Sequence, residues 1–340
     1  MSRSRTPVYT LLLLAFTVVA VGCAQSGPLH RSPEMREPEL QITRAVMADG
    51  YSLPYSAWEP QGTGSATAVV LALHGFNDHH RSFEELAQRL ASEGVVTYAY
   101  DQRSFGATAG RGIWPGVDSL VDDARTMLEL VRRRHPQTPV YILGESMGGA
   151  VAINVLTRDP RPEVAGSILV APAVWARNTM PWYQRVALAI GARIAPSRTL
   201  TGEGLDITPT DNIDMLREWS RDPLVIRATR IDAINGLSNL MDAALDAVPE
   251  LRGRSLILYG ENDQIIPARP TCRMIDALPN RSVMDWRFML YPDGYHMLTR
   301  DLGRAIVHDD IVAWIRNPAT NQWSDLERNR QQALRKLCER

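Results

Sequence analysis

From Leu40 onward the chain alternates short apolar runs of β character with longer stretches of helical periodicity. Leu40 to Trp58 reads as a hairpin with Asp49-Gly50 at its turn. Ala68 to Leu73 is a continuous apolar run, as expected of a strand buried on both faces. A capping box at Ser82-Phe-Glu-Glu85 then opens a helix whose face carries Phe83, Leu86, Ala87, Leu90 and Ala91, and Gly94 stops it. Val95 to Tyr100 is the next strand, followed by helical spacing at Val117, Leu120, Val121, Ala124, Leu128 and Val131. Strand Val140 to Leu143 leads into a helix from about Met147 to Leu156. Further strands are expected at Ser167 to Val170, Ser255 to Tyr259 and Val283 to Leu290, with a helix over about Leu302 to Ile315. Strands alternating with helices predict an α/β fold: a mostly parallel sheet with helices on both faces.

One interval breaks the rhythm. Roughly 80 residues separate the strand ending at Val170 from the one starting at Ser255, far more than a single crossover needs. Trp175 to Ile194 is helical and apolar, with Met180, Trp182, Tyr183, Val186, Leu188 and Ile190. A polar stretch to Asp214 and more helical sequence to Ala247 follow. This interval, about 173–250, reads as a helical cap inserted over the carboxyl edge of the sheet, with most of its apolar residues expected to pack it onto the core.

Composition narrows the class. The 340 residues are 45% hydrophobic and 22% charged, with net charge -1, which are ordinary globular values. The near-neutral balance gives no electrostatic basis for binding nucleic acid. Of the 37 basic residues only Lys336 is lysine, and the arginines form no patch. At the N-terminus, Arg3 and Arg5 precede an apolar run from Leu11 to Val21 that ends in Val21-Gly22-Cys23. The run is too short for a comfortable membrane span and fits an export signal over 1–22. Its end resembles the lipobox of bacterial lipoproteins, with Ala20 where leucine is commoner. That resemblance implies lipidation of Cys23, a tether over 23–39, and residence in the bacterial cell envelope. Cys272 and Cys338 are free to pair in an oxidising compartment or to remain thiols.

The candidate chemistry sits in the stretch LGESMGGAV, residues 143–151. A serine hydroxyl is a poor nucleophile until a base takes its proton and a turn exposes it. Gly144, Ser146 and Gly148 have the spacing of a tight strand-to-helix turn, in which larger residues would crowd the backbone. A G-x-S-x-G match occurs by chance in about one chain in ten of this size, so its place between a buried strand and a helix is what gives it weight.

Four motifs in order resemble the α/β-hydrolase superfamily, and within it the monoacylglycerol lipase and lysophospholipase-like serine hydrolases. They are Leu73-His-Gly-Phe76, Gly144-Glu-Ser-Met-Gly-Gly149, Gly260-Glu-Asn-Asp263 with Pro267, and Gly294-Tyr-His-Met297. The resemblance spans about residues 40–318, leaving 319–340 as a helical tail. It implies Ser146 as nucleophile, His296 as base, Asp263 as the orienting acid, and the amides of Phe76 and Met147 as oxyanion donors. His74 is expected to support its turn rather than react. Asp101-Gln-Arg-Ser-Phe-Gly106 matches the superfamily landmark D-x-R-G-x-G with Ser104 in place of the first glycine.

The expected activity is hydrolysis of carboxylic esters through an acyl-enzyme, with monoacylglycerols or lysophospholipids favoured by the apolar cap. Met180 and Trp182 are candidate acyl-channel residues. No cofactor is implied, and no metal: His79-His80 lacks a third partner at ligand spacing, and Cys272 and Cys338 are distant in sequence. The alternatives are a peptidase or thioesterase on the same fold, or a non-catalytic envelope lipoprotein. Oligomeric state is not written in the sequence.

Overall fold

The computed structural model of the protein describes residues 35–339 apart from 63–64, 203, 205, 281–283 and 319–323. The export signal and Cys23 lie outside the described residues. The ten-stranded sheet runs in the order β1-β2-β3-β5-β4-β6-β7-β10-β11-β12. Its centre is parallel: β5 (Val95–Tyr100), β4 (Ala68–Leu73), β6 (Val140–Glu145), β7 (Gly166–Val170), β10 (Gly253–Gly260) and β11 (Met284–Tyr291). These are the strands expected from the sequence, with β10 and β11 offset by a residue or two, and every residue of β4, β5, β6 and β7 is buried. At one margin β1 (Glu39–Leu40), β2 (Arg44–Val46) and β3 (Ser52–Trp58) add antiparallel, with β2 and β3 forming the expected hairpin. At the other margin β12 (Glu327–Arg328) pairs antiparallel with β11.

Two apolar clusters divide the core. One includes residues of α2 (Val117–Arg134), α3 (Met147–Thr157), α6 (Ile231–Ala247), α7 (Ala268–Ala277) and α9 (Arg330–Cys338). The other includes residues of α1 (Glu84–Ala91) and α8 (Arg304–Arg316). Because side chains alternate across each strand, Val69 and Leu71 join the first cluster while Val70 and Ala72 join the second. The helical moment of α2 places Leu120, Val121, Ala124, Leu128 and Val131 inward, as their spacing predicts.

Three local expectations are corrected. Ser82 caps nothing: a short 3-10 turn, His80–Phe83, precedes α1, and the Ser82 hydroxyl is buried without a partner. Glu85, the other half of the expected box, pairs instead with Arg304 across the helix layer. In the interval between β7 and β10, the stretch read as one helix from Trp175 splits into a 3-10 turn, Arg177–Thr179, and α4, Trp182–Ile194. The polar part holds a two-stranded ribbon, β8 (Thr199–Thr201) with β9 (Ala228–Arg230), around α5 (Ile213–Arg221). Nor do the apolar residues of α4 pack on the core. The helix has no buried residue, and Trp182, Val186, Ile190 and Ile194, four apart along one face, are 73%, 48%, 52% and 79% exposed. Attachment to the core falls to α6, through Leu240, Met241, Ala244 and Leu245.

The C-terminal segment is built into the fold. A capping box between Asn329 and Gln332 starts α9, and Ala333 and Leu337 are buried. Cys338 is disulfide-bonded to Cys272 of α7, which resolves the open question of the two cysteines. Lys336, the chain's single lysine, pairs with Glu261 in the loop after β10.

Candidate active site

Ser146 sits between the last residue of β6 and the first of α3 at φ 53° and ψ −115°, a conformation that L-residues rarely adopt. Its backbone is over-determined by hydrogen bonds on both sides. Ser146 N donates to Val170 O at 2.9 Å, and Ser146 O accepts from Ala150 N at 3.1 Å and Ala173 N at 2.9 Å. The glycines explain how the chain tolerates this turn. A methyl on Gly148 would stand 1.9 Å from Leu73 O, and one on Gly144 would stand 2.3 Å from Gly148 O. A methyl on Gly149 would meet Pro172 Cβ at 2.9 Å, so the third glycine admits the loop after β7.

The same close approach brings the loop after β4 against the serine. A Cβ on Gly75 would lie 3.4 Å from Ser146 Cβ, and Phe76 follows directly. Among the described residues, neither Phe76 N nor Met147 N donates a hydrogen bond. One of these amides follows Gly75, which lies against Ser146, and the other opens α3, where the helix dipole adds positive potential. His74 is fully buried and supports this loop: Gln102 N donates to its Nε2 at 3.0 Å, and its Nδ1 donates to Gly75 O at 2.8 Å. Burial keeps His74 below the usual histidine range despite the nearby Asp101, so it stays neutral.

Asp263 and His296 come from the loops after β10 and β11, at the same carboxyl edge where β6 ends. The two loops interlock. Asn262 N donates to Gly294 O at 2.9 Å, and a Cβ on Gly260 would stand 2.3 Å from that same oxygen. Asp263 Oδ1 accepts from Ile265 N at 2.8 Å and Ile266 N at 2.9 Å, leaving Oδ2 to accept from His296 Nδ1 at 2.8 Å. Burial pulls the imidazole pKa down, but the Asp263 carboxylate and its hydrogen bond outweigh that, with help from Glu145. The net position is above the ordinary histidine value.

The landmark loop after β5 carries serine where the superfamily pattern has glycine. Ser104 takes φ 72°, the left-handed region where glycine is favoured. Gly106 lies against the Asp101 carboxyl, which Ala107 N caps at 2.8 Å. Asp101 also supplies the third partner that His79 and His80 lack in the sequence: one possible ligand atom of each lies within 4.8 Å of the others. The carboxylate is committed to closing loops, since its Oδ1 accepts from His80 N at 2.9 Å and from His80 Nδ1 at 2.6 Å.

Of the two candidate channel residues, Met180 is half-buried and packs on the core, whereas Trp182 is exposed beside Tyr183 at the start of α4. Sequence reasoning missed Trp114. It lies between Phe76, 6.4 Å away by ring centroids, and Gly236 of α6, whose absent side chain leaves room for the indole. No periodicity signals Trp114, because it stands in an irregular loop. Glu145, Thr299 and Arg300 likewise border the site without a motif that marks them. The signal for Glu145 was a charged residue ending an apolar strand directly before the serine.

A strained serine at a strand-to-helix turn, a carboxylate-oriented histidine and a parallel sheet carrying both define a serine hydrolase of the α/β-hydrolase fold. The chain belongs to the family described as "Serine aminopeptidase, S33", whose model matches residues 64–303. It is 28% identical over 279 residues to a monoacylglycerol lipase of Mycolicibacterium smegmatis, covering 78% of this chain and 93% of that one. It is 27% identical over 303 residues to the human monoglyceride lipase, covering 86% and 95%. In three dimensions it is similar to a soluble variant of the Saccharomyces cerevisiae monoglyceride lipase, at a TM-score of 0.69 and 21% identity over 88% of this chain and 100% of that one.

Proposed function

We propose that this protein hydrolyses carboxylic esters of lipid-like substrates, monoacylglycerols or lysophospholipids, through an acyl-enzyme on Ser146. The observation that carries the reading is the convergence of Ser146, the His296–Asp263 pair and two unpaired amides at one edge of the sheet. With Nδ1–H held by Asp263, His296 offers Nε2 to take the serine proton. Ser146 Oγ attacks the acyl carbon. The oxyanion that forms accepts hydrogen bonds from Phe76 N and Met147 N, each donor of this kind being worth about 2.7–4 kcal/mol. The imidazolium then protonates the departing alcohol. In the second half-reaction His296 activates a water that releases the acyl group as a carboxylic acid and restores Ser146.

Lipid-like substrates are favoured by the names of the relatives and by the exposed apolar face of α4. The site chemistry alone also serves amide and thioester cleavage. A panel of soluble esters, aminoacyl amides and thioesters, run beside monoacylglycerols of graded chain length, therefore tests the reading. Hydrolysis of the esters, lost in Ser146→Ala together with labelling by a fluorophosphonate probe, is the expected outcome. Preferential cleavage of aminoacyl amides would replace it with the peptidase reading.

The same proposal places the enzyme in the bacterial envelope, held by acyl chains on Cys23. The sequence Val21-Gly22-Cys23 after an apolar run supports it. Incorporation of an alkynyl fatty acid into the full chain, abolished in Cys23→Ala, is expected. Equal labelling of the variant would refute the anchor.

A further inference from the structure

Four residues beyond His296, Arg300 is buried, and its Nη2 reaches two carboxylates: Asp78 Oδ2 at 2.8 Å and Glu145 Oε1 at 3.2 Å. The other oxygen of Glu145 accepts from Thr299 Oγ1 at 3.0 Å, and Thr299 O is itself held by His308 Nε2 at 2.9 Å. Thr299, Glu145 and Asp78 are each no more than 2% exposed. None of these side chains is used in the chemical steps above.

Their positions in the chain matter. Glu145 directly precedes Ser146, Asp78 lies two residues after Phe76, and Thr299–Arg300 continue the loop that carries His296. One guanidinium thus joins the nucleophile turn after β6, the oxyanion loop after β4 and the histidine loop after β11. The oxyanion loop is anchored from its other side by the cap: Ile226 N donates to Asn77 O at 3.0 Å, Asn77 Nδ2 donates to Thr229 Oγ1 at 2.6 Å, and His79 Nε2 lies 3.2 Å from Asp222 Oδ2. Asn77 holds a left-handed φ of 66° between these anchors.

A cluster of two buried carboxylates on a single cation is a poor device for stability. Desolvation of three charges offsets most of the Coulomb gain, and apolar residues of similar volume would serve as well or better. What such a cluster supplies is geometry. The reaction needs the hydroxyl, the amide donors and the imidazole within a fraction of an ångström of their working places.

We propose that Arg300, acting through Glu145 and Asp78, is a positioning residue that locks these three loops in a single catalytic register. This rests on the serine-hydrolase reading and adds a role for residues outside the triad. Glu145 acts on His296 through its charge as well. The ionisable groups around the imidazole are Asp263 from the loop after β10, Glu145 from β6 and Arg300 from its own loop. Around the cluster stand His74 and His79 from the oxyanion loop, Asp301 beside Arg300, and Asp211, whose charge acts on Asp301.

The test uses the full chain, with a soluble p-nitrophenyl ester and fluorophosphonate labelling. Arg300→Met is expected to lower kcat about 10- to 100-fold with little change in KM, because the groups are displaced but the pocket remains. Arg300→Lys, which keeps one cation between the carboxylates, should recover part of that loss. Glu145→Gln keeps the shape and removes the charge, so the acid limb of its pH–rate profile should move to lower pH. Should Arg300→Met not fold, Glu145→Gln decides alone. A folded Arg300→Met with wild-type kcat, or a Glu145→Gln with wild-type kcat and an unmoved acid limb, overturns the proposal. Wild-type protein that neither labels nor hydrolyses esters would instead sink the hydrolase reading beneath it.

Discussion

His296 Nδ1 lies 2.8 Å from Asp263 Oδ2, and that contact determines which ring nitrogen is free for chemistry. Asp263 is in turn fixed by the amides of Ile265 and Ile266, so the imidazole is held in one tautomer by a carboxylate that cannot swing away. Asp263→Asn would preserve the shape and lose the tautomer, and kcat is expected to fall about 10⁴-fold. Burst kinetics on a p-nitrophenyl ester would check this. Retention of more than a tenth of the activity would mean that another acid does the work.

The same pair fixes the pH dependence. Proton transfer requires neutral His296, and its pKa is raised in the folded protein. Below that pKa the base is occupied, so kcat/KM should fall on the acid side with a midpoint above the ordinary histidine value of about 6.5. Asp263→Asn removes the main cause of the rise and leaves burial opposed by Glu145 alone, so the acid limb should move to lower pH. A limb that stays in place would show that a group other than His296 titrates in it.

The glycines of the nucleophile turn yield a graded prediction. At Gly148 the added methyl meets backbone at 1.9 Å, at Gly144 backbone at 2.3 Å, and at Gly149 the Pro172 side chain at 2.9 Å. At Gly75 it only touches Ser146 Cβ at 3.4 Å. Alanine should therefore be most damaging at Gly148, then Gly144, then Gly149, while Gly75→Ala folds normally. Thermal unfolding of the four variants gives the order directly, and a Gly148→Ala protein as stable as wild type would contradict this account of the turn.

The centre of the sheet was legible because β4, β5, β6 and β7 are buried on both faces and are largely apolar. The candidate site was legible because Ser146, Asp263 and His296 each stand near a glycine-bearing turn, at Gly144 and Gly148, Gly260 and Gly294. Long-range pairing was not. Arg300 looks in sequence like any loop arginine, and only the fold brings Asp78 and Glu145 to it from more than 150 residues away. The cap was misread for a related reason. Periodicity showed that α4 has an apolar face but not what that face meets, and Trp182, Val186, Ile190 and Ile194 meet solvent. Ser82 shows the same limit at short range. Its spacing to Glu85 fits a capping box, yet Arg304, distant in the chain, claims the glutamate.

That exposed face predicts a split between substrates. If α4 meets the lipid surface that presents the substrate, polar replacement of Trp182 and Ile190 should slow hydrolysis of micellar monoacylglycerol. A short ester free in solution should be cleaved at the wild-type rate, because the catalytic groups are untouched. Full burial of such a side chain is worth about 1.5–3 kcal/mol, and losing about 1.4 kcal/mol over the pair is already tenfold, so the double variant should lose about tenfold in rate at limiting lipid. Equal slowing on both substrates would assign α4 to cap stability instead.

The disulfide ties α9 to α7 across a separation of 66 residues. Closing a loop of that length restricts the unfolded chain, and a contribution of about 2–4 kcal/mol is typical. Cys272 of α7 lies nine residues after Asp263, and Lys336 of α9 pairs with Glu261, two residues before Asp263, so the tail braces the acid-bearing loop from outside. Cys338→Ser is therefore expected to lower the unfolding temperature under non-reducing conditions and to match wild type measured in dithiothreitol. Well below the transition its kcat should stay near the wild-type value, because Asp263 keeps its own hydrogen bonds from Ile265 and Ile266. Calorimetry with and without reductant checks the first statement and ester hydrolysis in the cold checks the second. A variant with unchanged thermal stability would mean that the packing of Ala333 and Leu337 alone holds the tail.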